Sequence, residues 1–209
     1  MKILYLDCNM GASGDMLFGA LLGFINKKDQ SFFIKKVNAS GIPYVKISSK
    51  TLMKNGVAGN KVFVKIDGME EGRRCGHSEK HSHHHRKLKD VNKIINKLKI
   101  SKTVKDNALA VYQSIAQAES KAHNCEVSKI HFHEVGELDA VCDIVGVCML
   151  IEELKAEKII ASPVNVGGGF VKCAHGVLPV PAPAAVELLK DVPIYGGKIK
   201  EELCTPTGA

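Results

Sequence analysis

Residues 1–24 read MKILYLDCNMGASGDMLFGALLGF. Lys2 to Asp7 has the short apolar run of a buried strand, and Cys8 to Gly14 has the small residues of a tight turn. From about Asp15, Met16 or Leu17, Ala20, Leu21 and Phe24 recur at helical spacing. Ser13 stands where a side-chain oxygen caps the free amides of the first turn. The unit is strand, loop, helix, and it points to an α/β or α+β layered fold.

The rest of the chain extends that pattern. A second short helix is expected over 31–38, and after Gly41, Ile42 and Pro43 the apolar period changes to two, with Val62, Val64 and Ile66 alternating against Lys61, Phe63 and Lys65. From Asp67 to Arg86 the sequence DGMEEGRRCGHSEKHSHHHR is too polar to supply a core and reads as a surface loop. Leu88, Val91, Ile94, Ile95 and Leu98 mark one amphipathic helix; Val104, Ala108, Val111, Ile115, Ala118 and Ala122 mark a longer one. Leu138 to Leu154 is apolar nearly all round, which makes it a central helix. An extended segment near 158–166 leads into Gly167, Gly168 and Gly169, then a proline-bearing loop, then a short helix from about Ala184 to Lys190. These readings divide the chain into an α/β part at 1–66, a histidine-rich loop at 67–87 and a helical hairpin plus α/β part at 88–209. A mixed sheet with helices is expected, its strand order undetermined.

Composition narrows the function. The chain has 209 residues, 45% hydrophobic and 24% charged, enough for a compact core. No apolar run is long enough to span a bilayer and the opening lacks the features of a signal peptide, so a cytoplasmic protein with no membrane partner is expected. Seven cysteines without a CxxC pair argue against a disulfide framework or a thiolate zinc knuckle. The net charge of +7 is spread over several segments with no tryptophan, which disfavours nucleic acid and leaves a phosphorylated small molecule as the simpler anionic partner.

Four constellations carry chemistry. Asp7 and Asp15 bracket Gly11, Ser13 and Gly14 at a helix start, where free amides favour phosphate while the two carboxylates favour a cation, or phosphate through a cation. In HFHEVGELDAVCD, His131 and His133 would share one face of an extended segment, followed by Glu134 and by Asp139 and Asp143 one helical turn apart on an apolar helix. Imidazole with carboxylate suits nickel, zinc, manganese or magnesium. His77, His81, His83, His84 and His85, with Cys75 nearby, form a loop able to collect a divalent transition metal. Gly167, Gly168 and Gly169 permit close approach of a ligand, with His175 as an acid/base or ligating group and Cys173 as a soft donor.

As a set, DCNMGASGDM, the histidine-rich insertion, HFHEVGELDAVCDIVG, VNVGGG with HGVLPVPAPA, and the closing ELCTPTGA resemble the LarC family, the nickel-insertion proteins of nickel-pincer nucleotide biosynthesis. The resemblance implies a cyclometallase. A pyridinium mononucleotide bearing two thiocarboxylates receives nickel through nickel–sulfur bonds and one nickel–carbon bond, with CTP consumed and manganese or magnesium assisting, and the product serves lactate racemase. Family members continue past TPTGA into a domain associated with CTP, in some cases separately encoded, and this chain stops at Ala209. The chain alone is therefore expected to bind nickel without full CTP-dependent turnover. A homo-oligomer stays open. Two rivals remain: a nickel storage or delivery protein using the histidine loop alone, and a metal-dependent phosphohydrolase using the paired aspartates.

Overall fold

The computed structural model describes residues 1–70, 86–173 and 175–209. The histidine-rich readings at His77, His81, His83, His84 and His85, and Cys75 beside them, fall outside the described residues. The first unit is strand β1 (Ile3–Leu6), a loop, and helix α1 (Gly14–Leu22). Helix α2 (Lys27–Asn38) begins earlier than its apolar spacing suggested, because Asn26 caps it by accepting the Asp29 amide at 3.0 Å. Strands β2 (Val45–Lys54) and β3 (Val57–Ile66) form an antiparallel hairpin, with β4 (Met69–Glu70) added to β3. As the alternation required, Val62 and Val64 are buried and Lys61 and Lys65 are exposed.

Helices α3 (Leu88–Lys97) and α4 (Lys102–Ala122) make the expected pair, α4 being capped by the Ser101 hydroxyl on the Val104 amide at 3.1 Å. Helix α5 (Leu138–Leu154) is buried along most of its length and ends where Lys155 turns into the left-handed region (φ 50°, ψ 45°). Strand β5 (Lys158–Ala161) then runs parallel to β1, from Ile3 opposite Lys158 to Leu6 opposite Ala161. β6 (Val164–Asn165) pairs in parallel with β9 (Ile194–Tyr195), and helix α6 (Pro183–Leu188) lies between them in sequence.

The fold mixes helix and strand as anticipated, with the strands of the described residues shared among four small sheets. One segment differs: the proline-bearing stretch after Gly169 contains an antiparallel hairpin, β7 (Phe170–Cys173) and β8 (Gly176–Pro179). Its strands are four residues each and the proline closes β8, where a missing donor costs no interior ladder bond.

The parts on either side of 67–87 share one core. Leu4, Phe18, Leu21 and Leu22 from the first join Val91, Ile95, Tyr112, Ile115, Val141 and Leu150 from the second. Each fully buried aliphatic or aromatic side chain contributes about 1.5–3 kcal/mol, so α1 is fixed against α5 by several such contributions. Tyr112, buried on α4, donates its hydroxyl to the Val135 carbonyl at 3.1 Å. That bond ties the long helix to the HFHEVG segment, and burial with the nearby charges of Asp139 and Asp143 pushes its pKa well above the ordinary value. Among the described residues no helix is long and apolar enough to cross a membrane.

Candidate functional site

A cavity of about 470 Å³ opens where the start of α1, the end of α4, the HFHEVG segment, the first turns of α5, the β7–β8 hairpin and the C-terminal residues meet. The α1 start contributes Ser13, Gly14 and Asp15; α4 contributes Glu119, and His123 stands at its C-terminal cap; the motif contributes His133, Glu134, Asp139 and Asp143. Cys173 and His175 come from β7–β8, and Glu202, Thr205 and Thr207 from the C-terminal stretch.

Backbone pairing brings the last of these to the first. Ala12 donates to the Leu203 carbonyl at 2.9 Å and Thr205 donates to the Ala12 carbonyl at 3.0 Å, so residues 203–205 lie against the 8–14 loop through an isolated bridge between Ala12 and Cys204. Gly11 sits at φ 83°, and a Cβ there would stand 1.8 Å from the Leu203 carbonyl oxygen. Only glycine satisfies both conditions. At Gly14 a Cβ would fall 2.9 Å from the Asp143 Cβ, so glycine is what lets α1 begin directly beside that carboxylate. The Gly14 amide is taken by the Thr207 hydroxyl at 3.1 Å, and Thr207 lies 3.0 Å from the Thr205 hydroxyl. Ser13 occupies the cap position, but its hydroxyl donates to the Asp15 carboxylate instead of accepting a first-turn amide. The expected side-chain cap is absent, with Thr207 satisfying the amide.

Three imidazoles stand in a row. His133 and His175 have ring centroids 4.6 Å apart at 89°, and His175 and His123 are 4.7 Å apart at 49°. At one end of the row Glu119 lies 3.5 Å from the His123 Nε2. Burial pushes the Glu119 carboxyl above its usual range, His123 and His175 pull it down and Glu134 pushes it up. Burial likewise raises Glu202, again with Glu134 adding to the effect. The thiols of Cys148 and Cys204 are pushed up to about 11 by burial, which keeps them protonated and inert as ligands or nucleophiles.

The cavity brings together Ser13, Gly14, Asp15, His133, Glu134, Asp139, Asp143 and His175, all singled out from sequence. His131 is not among its lining and is exposed: Phe132 is buried between the two histidines, and the backbone leaves extended geometry at His133 (φ −88°, ψ −100°). Asp7 accepts the Asn9 amide at 3.0 Å within the loop and Gly11 packs on Leu203; neither lines the cavity. Gly167 bridges Glu202 and, at φ 82°, leaves 1.9 Å between a virtual Cβ and the Glu201 carbonyl oxygen. Gly167, Gly168 and Gly169 thus receive the 199–203 backbone and also lie outside the cavity lining.

A family model described as nickel insertion protein matches residues 4–209. The chain belongs to the nickel insertion protein family. It is 46% identical over 210 residues to a Clostridium kluyveri protein named pyridinium-3,5-bisthiocarboxylic acid mononucleotide nickel insertion protein, covering 100% of this chain and 52% of that protein. Proteins of the same name from Clostridium acetobutylicum and Geobacillus kaustophilus are 40% and 41% identical, again over 100% of this chain and 54% and 50% of theirs. The chain spans about half the length of these curated relatives. No solved structure matches it.

In this family member the imidazole and carboxylate donors around the cavity are of the borderline-to-hard type that suits nickel, manganese or magnesium. Among the described residues, however, no group of three or more His, Cys, Asp or Glu side chains is preassembled around one point. Sequence reading missed Glu119, His123 and Glu202. The first two were visible as a Glu/His pair one turn apart at the end of an amphipathic helix; Glu202 carried no signal, because its place at the cavity follows from long-range bridges of the C-terminal stretch to Gly167 and Ala12.

Proposed function

We propose that this chain binds nickel and pyridinium-3,5-bisthiocarboxylic acid mononucleotide in the cavity, and serves nickel insertion into that mononucleotide to form the nickel-pincer cofactor of lactate racemase. The observation that carries the reading is the cavity itself: six carboxylates and three imidazoles converge on it in a chain whose relatives bear that substrate in their names. Nickel is cargo here. The two thiocarboxylate sulfurs would supply soft donors to the ion beside imidazole and carboxylate from the cavity wall.

The chemistry balances as a metal-for-proton exchange. Nickel(II) forms bonds to two sulfurs and one ring carbon, and that carbon's proton leaves to a base on the cavity wall. Glu119 is the acceptor proposed, since it lines the cavity and burial raises its basicity above that of an ordinary carboxylate. His133 and His175, with Asp139 and Asp143, would hold or orient the incoming ion. CTP and manganese or magnesium belong to the fuller reaction, with CTP assigned to the region that the longer relatives carry in addition. His77, His81, His83, His84 and His85 would raise the local nickel supply.

Calorimetric titration of the purified chain with nickel and the mononucleotide tests the reading, followed by addition of CTP, manganese and lactate racemase apoprotein, with and without the additional region. Binding of the mononucleotide in the presence of nickel is expected, with racemase activation only when the additional region is present. No binding of the mononucleotide with nickel present would overturn it. Replacing the five loop histidines should lower nickel stoichiometry and leave the melting temperature unchanged; unchanged stoichiometry would remove the recruitment role.

A further inference from the structure

The cavity lining is of two kinds, and the carboxylates and imidazoles make up one of them. The other is aliphatic: Val135 from the motif, Val171 and Leu178 from the β7–β8 hairpin, and Ala182 and Pro183 at the start of α6. Val171 and Leu178 stand directly opposite each other in the hairpin register. Side chains alternate between the two faces of a strand, so this half-buried pair shares the face turned to the cavity, while Phe170 and Val177 on the other face are 73% and 67% exposed. The hairpin is held over the cavity at both ends. At its base the Val180 amide donates to the Gly169 carbonyl at 3.0 Å, and towards its tip His175 lies between the rings of His133 and His123. Val135 is fixed separately, because its carbonyl accepts the buried Tyr112 hydroxyl.

Aliphatic side chains offer nothing to a phosphate or a thiocarboxylate, which would lose water against them with no replacement partner. In a pyridinium mononucleotide the extended surfaces that suit such a wall are the two faces of the aromatic ring. Substituents at ring positions 3 and 5 place both sulfurs and the carbon between them at one edge, in the ring plane, so bonding to nickel leaves the faces free. We propose, on the reading given above, that Val171 and Leu178 are the residues on which the pyridinium ring lies face-on. The hairpin then sets the plane of the ring, and with it the edge that is turned to nickel and to the proton acceptor. The same contact makes the flat ring, and not the phosphate alone, a condition of tight binding.

The test is calorimetric titration of the full chain with the mononucleotide in the presence of nickel, repeated at several temperatures to give the heat-capacity change of binding. Leu178→Asn keeps the size of the side chain and removes its apolar surface, and should lower the affinity about tenfold. Leu178→Met restores an apolar contact and should bind within about threefold of the wild type. Val177→Asn, on the outer face of the same hairpin, should change the affinity by no more than about twofold. The heat-capacity change for Leu178→Asn should be less negative than for the wild type, since less apolar surface leaves water on binding. A lower affinity with a more negative heat-capacity change would mean that the ligand merely orders a loosened hairpin, and would overturn the ring contact. So would equal losses at positions 177 and 178, or wild-type affinity in both Leu178→Asn and Val171→Asn; either result leaves the proposed function standing. If Leu178→Asn does not melt cooperatively, Leu178→Ala carries the same expectations. Absence of binding by the wild-type chain would overturn both readings.

Discussion

The cavity and the β2–β3 hairpin are opposites in charge and in the way they are assembled. Residues 45–66 hold Lys46, Lys50, Lys54, Lys61 and Lys65 and no Asp or Glu. Lys46 faces Lys65 and Lys50 faces Lys61 across the ribbon. Those ammonium groups stand in water, where repulsion is screened within about 8–10 Å, and Lys61 rests 5.4 Å from the Phe63 ring centroid. The cavity collects its like charges from segments far apart in the chain and half buries them, so that burial lifts Glu119 and Glu202 above their usual range. Surface charge of one sign costs the ribbon little. Inside the cavity, burial makes the charged forms of Glu119 and Glu202 less favourable.

Glycine substitution should separate the two regions most sharply. Gly11→Ala places a methyl in the left-handed region and 1.8 Å from the Leu203 carbonyl oxygen, so the C-terminal segment must move. A loss of about 3 kcal/mol is expected, with thermal melting as the readout. Gly59→Ala on the ribbon meets no atom within 4 Å and should change stability by no more than about 0.5 kcal/mol. Equal effects would mean that the docked C-terminal segment contributes no more than an exposed loop.

Removal of one cavity charge comes next. Asp143 is 7% exposed on α5 and Asn preserves its shape. Asp143→Asn should weaken nickel-dependent binding of the mononucleotide at least tenfold, about 1.4 kcal/mol, while the chain still melts cooperatively. Wild-type affinity would make that carboxylate structural.

Glu119→Gln should act in the stabilising direction on the free protein. Because the folded-state pKa lies above the ordinary carboxylate value, the native state is favoured at low pH and loses stability as pH rises through the raised value. The variant's advantage is therefore absent below about pH 4 and reaches roughly 0.5–1 kcal/mol at neutral pH. Denaturation at pH 4 and pH 7 checks the sign. The smallest effect belongs to Lys50→Glu, which turns the Lys50–Lys61 pair into an opposite-charge pair and should add a few tenths of a kcal/mol, with no change in ligand affinity.

The same contrast explains what could be read from sequence. The ribbon was legible because alternation of Val62 and Val64 with lysines is local, and α5 was legible because its apolar run spans seventeen residues. Asp139, Asp143 and His133 were found because they interrupt or precede that run. The docking of 202–207 on the 8–14 loop was not legible, since main-chain pairing between segments about 190 residues apart leaves no periodic trace. Glycines 167–169 illustrate the ambiguity: their missing side chains permit close approach by a ligand or by main chain, and the 199–203 backbone lies against them. The separation of His131 from His133 was lost in the single residue where the backbone leaves the extended region.

The central claim is that nickel and the mononucleotide meet in the cavity between α1, α4 and α5. Anomalous scattering at the nickel absorption edge from crystals of the chain grown with both ligands locates the ion directly. The account expects a peak within the cavity, within coordination distance of at least one of His133, Asp139, Asp143 or His175 and of the mononucleotide sulfurs. Nickel found solely at the histidines of residues 77–85, with the mononucleotide elsewhere or absent, would contradict it.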